Sequence, residues 1–279
     1  MRSIAKGHEP QGLTEYRAGG NREYVGLTKE KKDELRKHLV REQRGICCYC
    51  MDRISDDAAA MKIEHWRPQS QCEFSPGCAC LQVDYQNLLG ACLGGQGLPE
   101  RLQHCDTRKG NAQLTFNPAD PARRIENLIV YSRDGTISST DPTFAAELRD
   151  VLGLNIAKLK KNREGVLRGL LEWWQRENAR HAGKVPRALL ERKHAKILGL
   201  AAEDLAPFAP VALWWLERKL SRKSGKNPAQ TSFHHRSLGI SVADERKADD
   251  PLDRRTAGKV RSPKSVRDVL WRSCAENRA

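Results

Sequence analysis

Two pairs of cysteines constrain what this chain can fold into. Cys47 and Cys50 stand at C-x-x-C spacing, and Cys92 and Cys105 supply a second pair downstream. A turn of that spacing presents two thiolates to one tetrahedral ion, and the second pair completes a four-sulfur set. The chain between the pairs must therefore fold back on itself. Eight of the nine cysteines fall between Cys47 and Cys105. Met1 to Pro10 carries charge and no apolar run, so nothing signals secretion, and a structural Zn²⁺ is expected rather than disulfides. Cys48, whose side chain should point away from its two neighbours, is assigned to packing or a side role.

The stretch bracketed by the pairs carries a set of residues suited to chemistry. Lys62-Ile63-Glu64-His65-Trp66 is short, ends at Pro68 and reads as a strand running into a loop. Asn87-Leu88-Leu89-Gly90-Ala91-Cys92 reads as a second strand, and Asp106 to Leu114 as a helix with an acidic first turn. The local order is strand, strand, helix. Such a site can hydrolyse a phosphodiester if a base activates water and the charge on the phosphate is neutralised. His65 is the candidate base, because an imidazole titrates near neutrality. Glu64 and Asp106 are the candidate ligands of one catalytic divalent ion, Mg²⁺ or Mn²⁺. Asn87 would fix the loop carrying His65 through its side-chain amide. Glu64 and His65 are adjacent and face opposite sides of a regular strand, so both serve one site only if the strand ends or bends there. His104 is open to three uses: replacing Asp106 on the metal, contacting phosphate, or capping the helix. Arg108 and Lys109 are candidate nucleic-acid contacts.

Outside this stretch the sequence separates into regions. Residues 1–27 read as an N-terminal arm lying over the body. Thr28 is a good N-cap, Leu35, Leu39 and Val40 give one apolar stripe and Gly45 a stop, so a helix is expected over residues 29–44, with a basic outer face. The insertion from Gln69 to Gln86, with Cys72, Cys78 and Cys80, reads as a loop holding reduced cysteines. Gly90 to Gly97 lacks the Lys-Ser or Lys-Thr ending of a phosphate loop, so nucleotide binding is not expected there. From Phe144 onward apolar residues recur at helical spacing, including Leu167, Leu170 and Trp174, Leu189 and Leu190, and Leu213 and Leu216, and three or four packed helices are expected. Beyond residue 222 the chain is polar and basic, with one short apolar run at Val266 to Trp271, and adjacent His234 and His235 read as surface residues. The formal net charge of +14 points to a polyanionic partner, nucleic acid above all. No window approaches the roughly 20 apolar residues of a membrane span, so no membrane association and a cytoplasmic location are expected.

Taken together, Met1-Arg2-Ser3-Ile4, Lys6-Gly7, Glu9-Pro10, Ile46-Cys47-Cys48-Tyr49-Cys50-Met51, Lys62 to Trp66, Asn87 to Cys92, and His104-Cys105-Asp106 with Lys109-Gly110-Asn111 resemble the PtuB-type HNH endonucleases of bacterial Septu antiphage systems and related retron-linked systems. The resemblance covers residues 1–165 well and the helical region loosely. It implies an α+β, mostly helical fold with a zinc-stabilised ββα-metal (HNH) core and a C-terminal helical region. It also implies an endonuclease cutting DNA, or RNA, as the effector of a defence complex with a PtuA-type ATPase. The general HNH roles fall on His65 as base, Asn87 as the middle asparagine and Asp106 in the third position, usually His or Asn. That substitution, and Glu64 where Asp or His is commoner, leave the metal preference open. The expected regions are the arm at 1–27, a zinc-containing nuclease domain at 28–143, a helical domain at 144–221 suited to partner docking, and a basic, flexible tail at 222–279. The competing reading is a non-catalytic zinc-stabilised module that binds nucleic acid or serves as a scaffold.

Overall fold

The computed structural model describes residues 1–73, 79–200 and 204–221. The side chains of Cys72, Cys78 and Cys80, the His234–His235 pair, the apolar run at Val266 to Trp271 and the rest of the tail lie outside the described residues. The architecture is α+β. About half of the described residues are helical, and two small antiparallel sheets accompany the helices.

The N-terminal arm contains helix α1 (Gln11–Ala18), which packs against α2 (Lys29–Gln43) and buries Leu13 beside Leu35 and Leu39. Thr28 caps α2 through its side chain, accepting from the Lys31 amide. The helix ends where Arg44 and Gly45 both turn left-handed, which releases the chain into the Cys47–Cys50 turn. Lys6, from the arm, ion-pairs with Glu42 at 3.0 Å and donates to the Leu88 carbonyl.

Strand β1 (Met61–His65) pairs antiparallel with β2 (Leu88–Cys92), Glu64 opposite Leu89 and His65 opposite Leu88. Asn87 stands just outside the strand, in a single 3₁₀ turn, Tyr85–Asn87, capped by Asp84. The insertion between the strands is not a plain loop: it holds a short helix, α3 (Gln69–Glu73), and a 3₁₀ turn at Ala79–Gln82. Helix α4 (Cys105–Lys109) is shorter than the expected Asp106–Leu114, because Gly110 leaves the helical region at φ 52° and ψ −126°.

Gln43 ties three of these pieces together. Its amide donates to the Ile46 and Gly90 carbonyls, and its Oε1 accepts from the Gly90 amide at 2.6 Å. Such a buried side chain is costly unless fully satisfied, and here the end of α2, the first cysteine turn and the middle of β2 satisfy it.

The second sheet, β3 (Ile129–Tyr131) with β4 (Ile137–Ser139), leads into α5 (Pro142–Ala146), which continues as a π-helical turn, Glu147–Val151. Three longer helices follow: α6 (Ala157–Arg180), α7 (Arg187–Leu198) and α8 (Ala209–Ser221). Phe144, Leu148, Leu152, Leu154 and Leu159 are fully buried in the same cluster as the cysteines and Tyr49. Each such side chain contributes about 1.5–3 kcal/mol of transfer free energy, an upper figure because the unfolded chain is itself partly collapsed. No helix among the described residues is long and apolar enough to cross a membrane.

Candidate metal centre and active site

The strand pair and α4 bring the two cysteine pairs together. Sγ of Cys47 lies 3.8 Å from that of Cys105, and Sγ of Cys50 lies 3.6 Å from that of Cys92. All four sulfurs fall within 4.8 Å of one another. Tetrahedral bonds of about 2.3 Å to zinc place sulfurs about 3.8 Å apart, so the residues present fit the ion. The proton chemistry agrees. Burial pushes the Cys105 thiol well up, whereas the neighbouring thiols hold Cys92 low and, against burial, Cys47 well below its ordinary value. Sulfurs that share protons in this way can hold a divalent cation in their place. The buried cluster of four cysteines can therefore hold a metal such as zinc.

Cys48 is buried outside this set, and its amide donates to the Gly90 carbonyl. His104 is also on the sulfur side, its Nδ1 3.2 Å from Cys105 Sγ and 3.9 Å from Cys92 Sγ. It makes no side-chain cap to α4, so of its three open uses the capping one is absent.

Beside the sulfurs, one face of β1 and the first turn of α4 gather a second polar cluster. Glu64 is 2% exposed, and its Oε1 accepts from Tyr49 Oη at 2.7 Å and pairs with Lys109 Nζ at 2.8 Å. Asp106 Oδ2 lies 3.3 Å from Lys62 Nζ, which also donates to Thr107 Oγ1. Burial and a hydrogen bond with Asp106 push the Glu64 carboxyl well above the ordinary carboxylate range. Burial pushes Asp106 the same way, but its hydrogen bonds with Glu64 and Lys62 hold it low. The pair thus behaves as one acid and one carboxylate. The two carboxyls are in contact, and each has a lysine ammonium beside it.

His65 occupies the other face of β1. The strand runs regularly through it, and its ring meets Tyr24 edge-on at 4.7 Å. Its Nε2 lies 2.9 Å from the Gln82 carbonyl, which can only accept, so Nε2 carries the proton and Nδ1 the lone pair. The Gln69 amide reaches that lone pair at 3.2 Å. Burial lowers the imidazole to about 4, partly offset by the Gln82 carbonyl, so the ring is neutral at physiological pH. Only its main chain touches the carboxylate side, where Lys109 Nζ donates to the His65 carbonyl at 3.1 Å.

Asn87 clamps the chain that leaves β1. Its Oδ1 accepts from the Arg67 amide at 2.8 Å, and its Nδ2 donates to the carbonyls of Arg67 and Leu81. No family model matches the chain, and no curated protein matches it significantly.

The structure thus gathers Glu64 and Asp106, holds His65 one residue away on the opposite face, and sets His104 by the sulfurs. Lys109, read from sequence as a nucleic-acid contact, is 3% exposed and serves Glu64 instead. Arg108 is half-buried, its guanidinium donating to the carbonyls of Asp150 and Glu100. Sequence reading missed Tyr49, Lys62, Gln69 and Gln82. Tyr49 was visible as the aromatic residue inside the first cysteine turn; Gln82 acts through its main chain and leaves no signature.

Proposed function

We propose that this chain is a metal-dependent HNH endonuclease of the PtuB type, hydrolysing phosphodiester bonds of DNA, or of RNA, in the cytoplasm as the effector of a PtuA-type ATPase complex. The observation that carries the reading is the contact between Glu64 and Asp106 on a strand–strand–helix unit pinned by four cysteines. One residue along, on the opposite face of β1, is an imidazole whose tautomer a main-chain carbonyl sets. A zinc-stabilised module built only to bind nucleic acid would share the four cysteines but has no need of Glu64 and His65 together with Asn87 and Asp106.

In this reading Glu64 and Asp106 would hold Mg²⁺ or Mn²⁺, which when bound neutralises charge on the phosphate and favours departure of the 3′ oxygen. The protein's own groups do the rest. His65 could act as base only toward a water on its own face of β1, through Nδ1 once the Gln69 amide withdraws and with Nε2–H kept on the Gln82 carbonyl, so its use together with the carboxyl pair would require the strand end to bend. Asn87 clamps the chain leaving that strand end through Arg67. Tyr49 holds Oε1 of Glu64 and leaves the other oxygen for the ion. One observation favours the non-catalytic alternative: Lys109 and Lys62 already neutralise the two carboxyls. Cleavage of plasmid DNA by the purified chain, with His65→Ala as control, separates the readings. Metal-dependent cutting lost in the variant supports the nuclease; equal activity in both proteins removes His65 from it.

A further inference from the structure

The formal charge of +14 is unevenly placed along the chain. Residues 1–156, which include every residue of the metal centre and active site, carry 21 Lys and Arg against 21 Asp and Glu. Helices α6, α7 and α8 carry 13 against 5. The half of the molecule that would do the chemistry therefore has no net attraction for a polyanion.

Within the helices, one face of α6 stands out. Leu159, Arg163, Leu167 and Leu170 turn inward and are buried. Lys158, Lys161, Arg168 and Arg176 lie on the opposite, exposed face. None of these four forms an ion pair among the described residues, although Lys160 and Arg180 of the same helix pair with Asp134 and Glu177. Glu172 lies on this face, and exposed Glu164 flanks it, three residues from Lys161 and four from Arg168. On the basic face of α2 only half of the cations are free of such partners: Arg36 pairs with Asp33, Lys31 approaches Glu15 and Lys32 covers the Tyr24 ring, whereas Lys29, Lys37 and Arg41 form no ion pair among the described residues.

Two glycines share the α6 face. A Cβ on Gly165 or Gly169 would meet nothing within 4 Å, so no contact among the described residues requires the missing side chain. Glycine inside a helix is destabilising relative to alanine, which makes two of them at i, i+4 on a cationic stripe a feature in need of an external reason. Close approach of another backbone is such a reason.

We propose that this face of α6 is the surface on which the protein seats a nucleic-acid backbone, its four cations contacting phosphates and Gly165 and Gly169 allowing close approach. The face carries no large apolar residue, whereas a protein partner needs a buried apolar or aromatic anchor. Unpaired cations on a rigid rod suit phosphates. From Lys158 to Arg176 the stripe runs about 27 Å along the helix. Its start is tied to the active site, because the loop entering α6 accepts the Cys105 amide at the Leu152 carbonyl, next to Asp106. The inference rests on the nuclease reading for its choice of ligand.

The test is binding of the full chain to a labelled duplex DNA, and to a single-stranded RNA of equal length, without added divalent cation and across a salt series. The variant is Lys158→Gln/Lys161→Gln/Arg168→Gln/Arg176→Gln, with an unchanged thermal midpoint as the folding control. A loss of affinity of tenfold or more, with the slope of log K against log salt shallower by about three to four for duplex DNA, is the expected result. Whichever nucleic acid shows the larger loss is the backbone seated there. Gly165→Ala/Gly169→Ala is expected to melt higher yet bind several-fold more weakly. Affinity and slope equal to those of the native chain in both variants overturn the proposal. So does intact nucleic-acid binding with loss of a bound protein partner. A native chain that binds through this face but cuts nothing contradicts the nuclease reading alone, and one that cuts while the variants bind normally contradicts the surface alone.

Discussion

At the scale of single residues, the account turns on a neutral imidazole and a carboxyl pair. With His65 held near 4 against about 6.5 in the unfolded chain, the unfolded state binds a proton that the native ring refuses between those values. Native stability is therefore lost as pH falls from about 6.5 to about 4, by at most on the order of 3 kcal/mol from this group. Denaturant titrations of native and His65→Gln proteins across that window isolate the effect, since burial of Glu64 acts in the opposite sense in both. Native and variant losing stability in parallel would contradict it. Lys109→Met removes the cation from a 2.8 Å pair in which both partners are almost fully buried. A loss of about 1–3 kcal/mol in unfolding free energy is expected from the buried Glu64 and His65 acceptors that lose their donor, and little change would mean that Tyr49 and Asp106 suffice for Glu64. Glu64, His65, Asn87 and Asp106 stand out in the sequence because their types and order are unusual together, but only Glu64 and Asp106 meet, and the regular run of β1 that turns His65 to the other face was not legible. Nor were the partners of Lys109. A lysine in the first turns of a helix reads as solvated until β1 is packed against α4 and its ammonium reaches Glu64 and the His65 carbonyl.

At the scale of elements, the four-cysteine cluster is the joint between the first cysteine turn, β2 and α4. Stripping zinc with a chelator, or Cys92→Ser, is expected to abolish the cooperative unfolding transition of the core, because the metal's binding free energy is folding free energy. Calorimetry and a zinc assay on the same samples check it, and a sharp transition in metal-free protein would contradict it. Gln43→Leu leaves the Gly90 amide and the Ile46 carbonyl without their Gln43 partner, while the Gly90 carbonyl keeps the Cys48 amide, and a cost of about 2–3 kcal/mol is expected by chemical denaturation. Helix α2 was legible to within a residue, since Thr28 and Gly45 are strong local signals. Helix α4 was overextended because the sequence pattern continued past Gly110, where the backbone leaves the helix. The Gln69–Gln86 insertion, read as a loop, supplies the Gln82 carbonyl and the Gln69 amide to His65. No side-chain pattern announces a main-chain acceptor.

At the scale of the molecule, the carboxyls and sulfurs lie in an N-terminal part without net charge, and the positive charge follows it, with 13 Lys and Arg against 5 Asp and Glu on helices α6, α7 and α8 and 14 against 7 in residues 222–279. Composition gave the total charge, but only the helix faces divide unpaired cations from paired ones. The measurement that most directly tests the central claim is cleavage of plasmid DNA and of a cellular tRNA by the purified chain, with and without a PtuA-type ATPase, in Mg²⁺ or Mn²⁺. His65→Ala and Asp106→Ala serve as folded controls. The account predicts cutting that requires added metal and falls by about 10²–10⁴-fold in His65→Ala. No cutting of either nucleic acid in any condition, from protein with zinc bound and the fold intact, would contradict it.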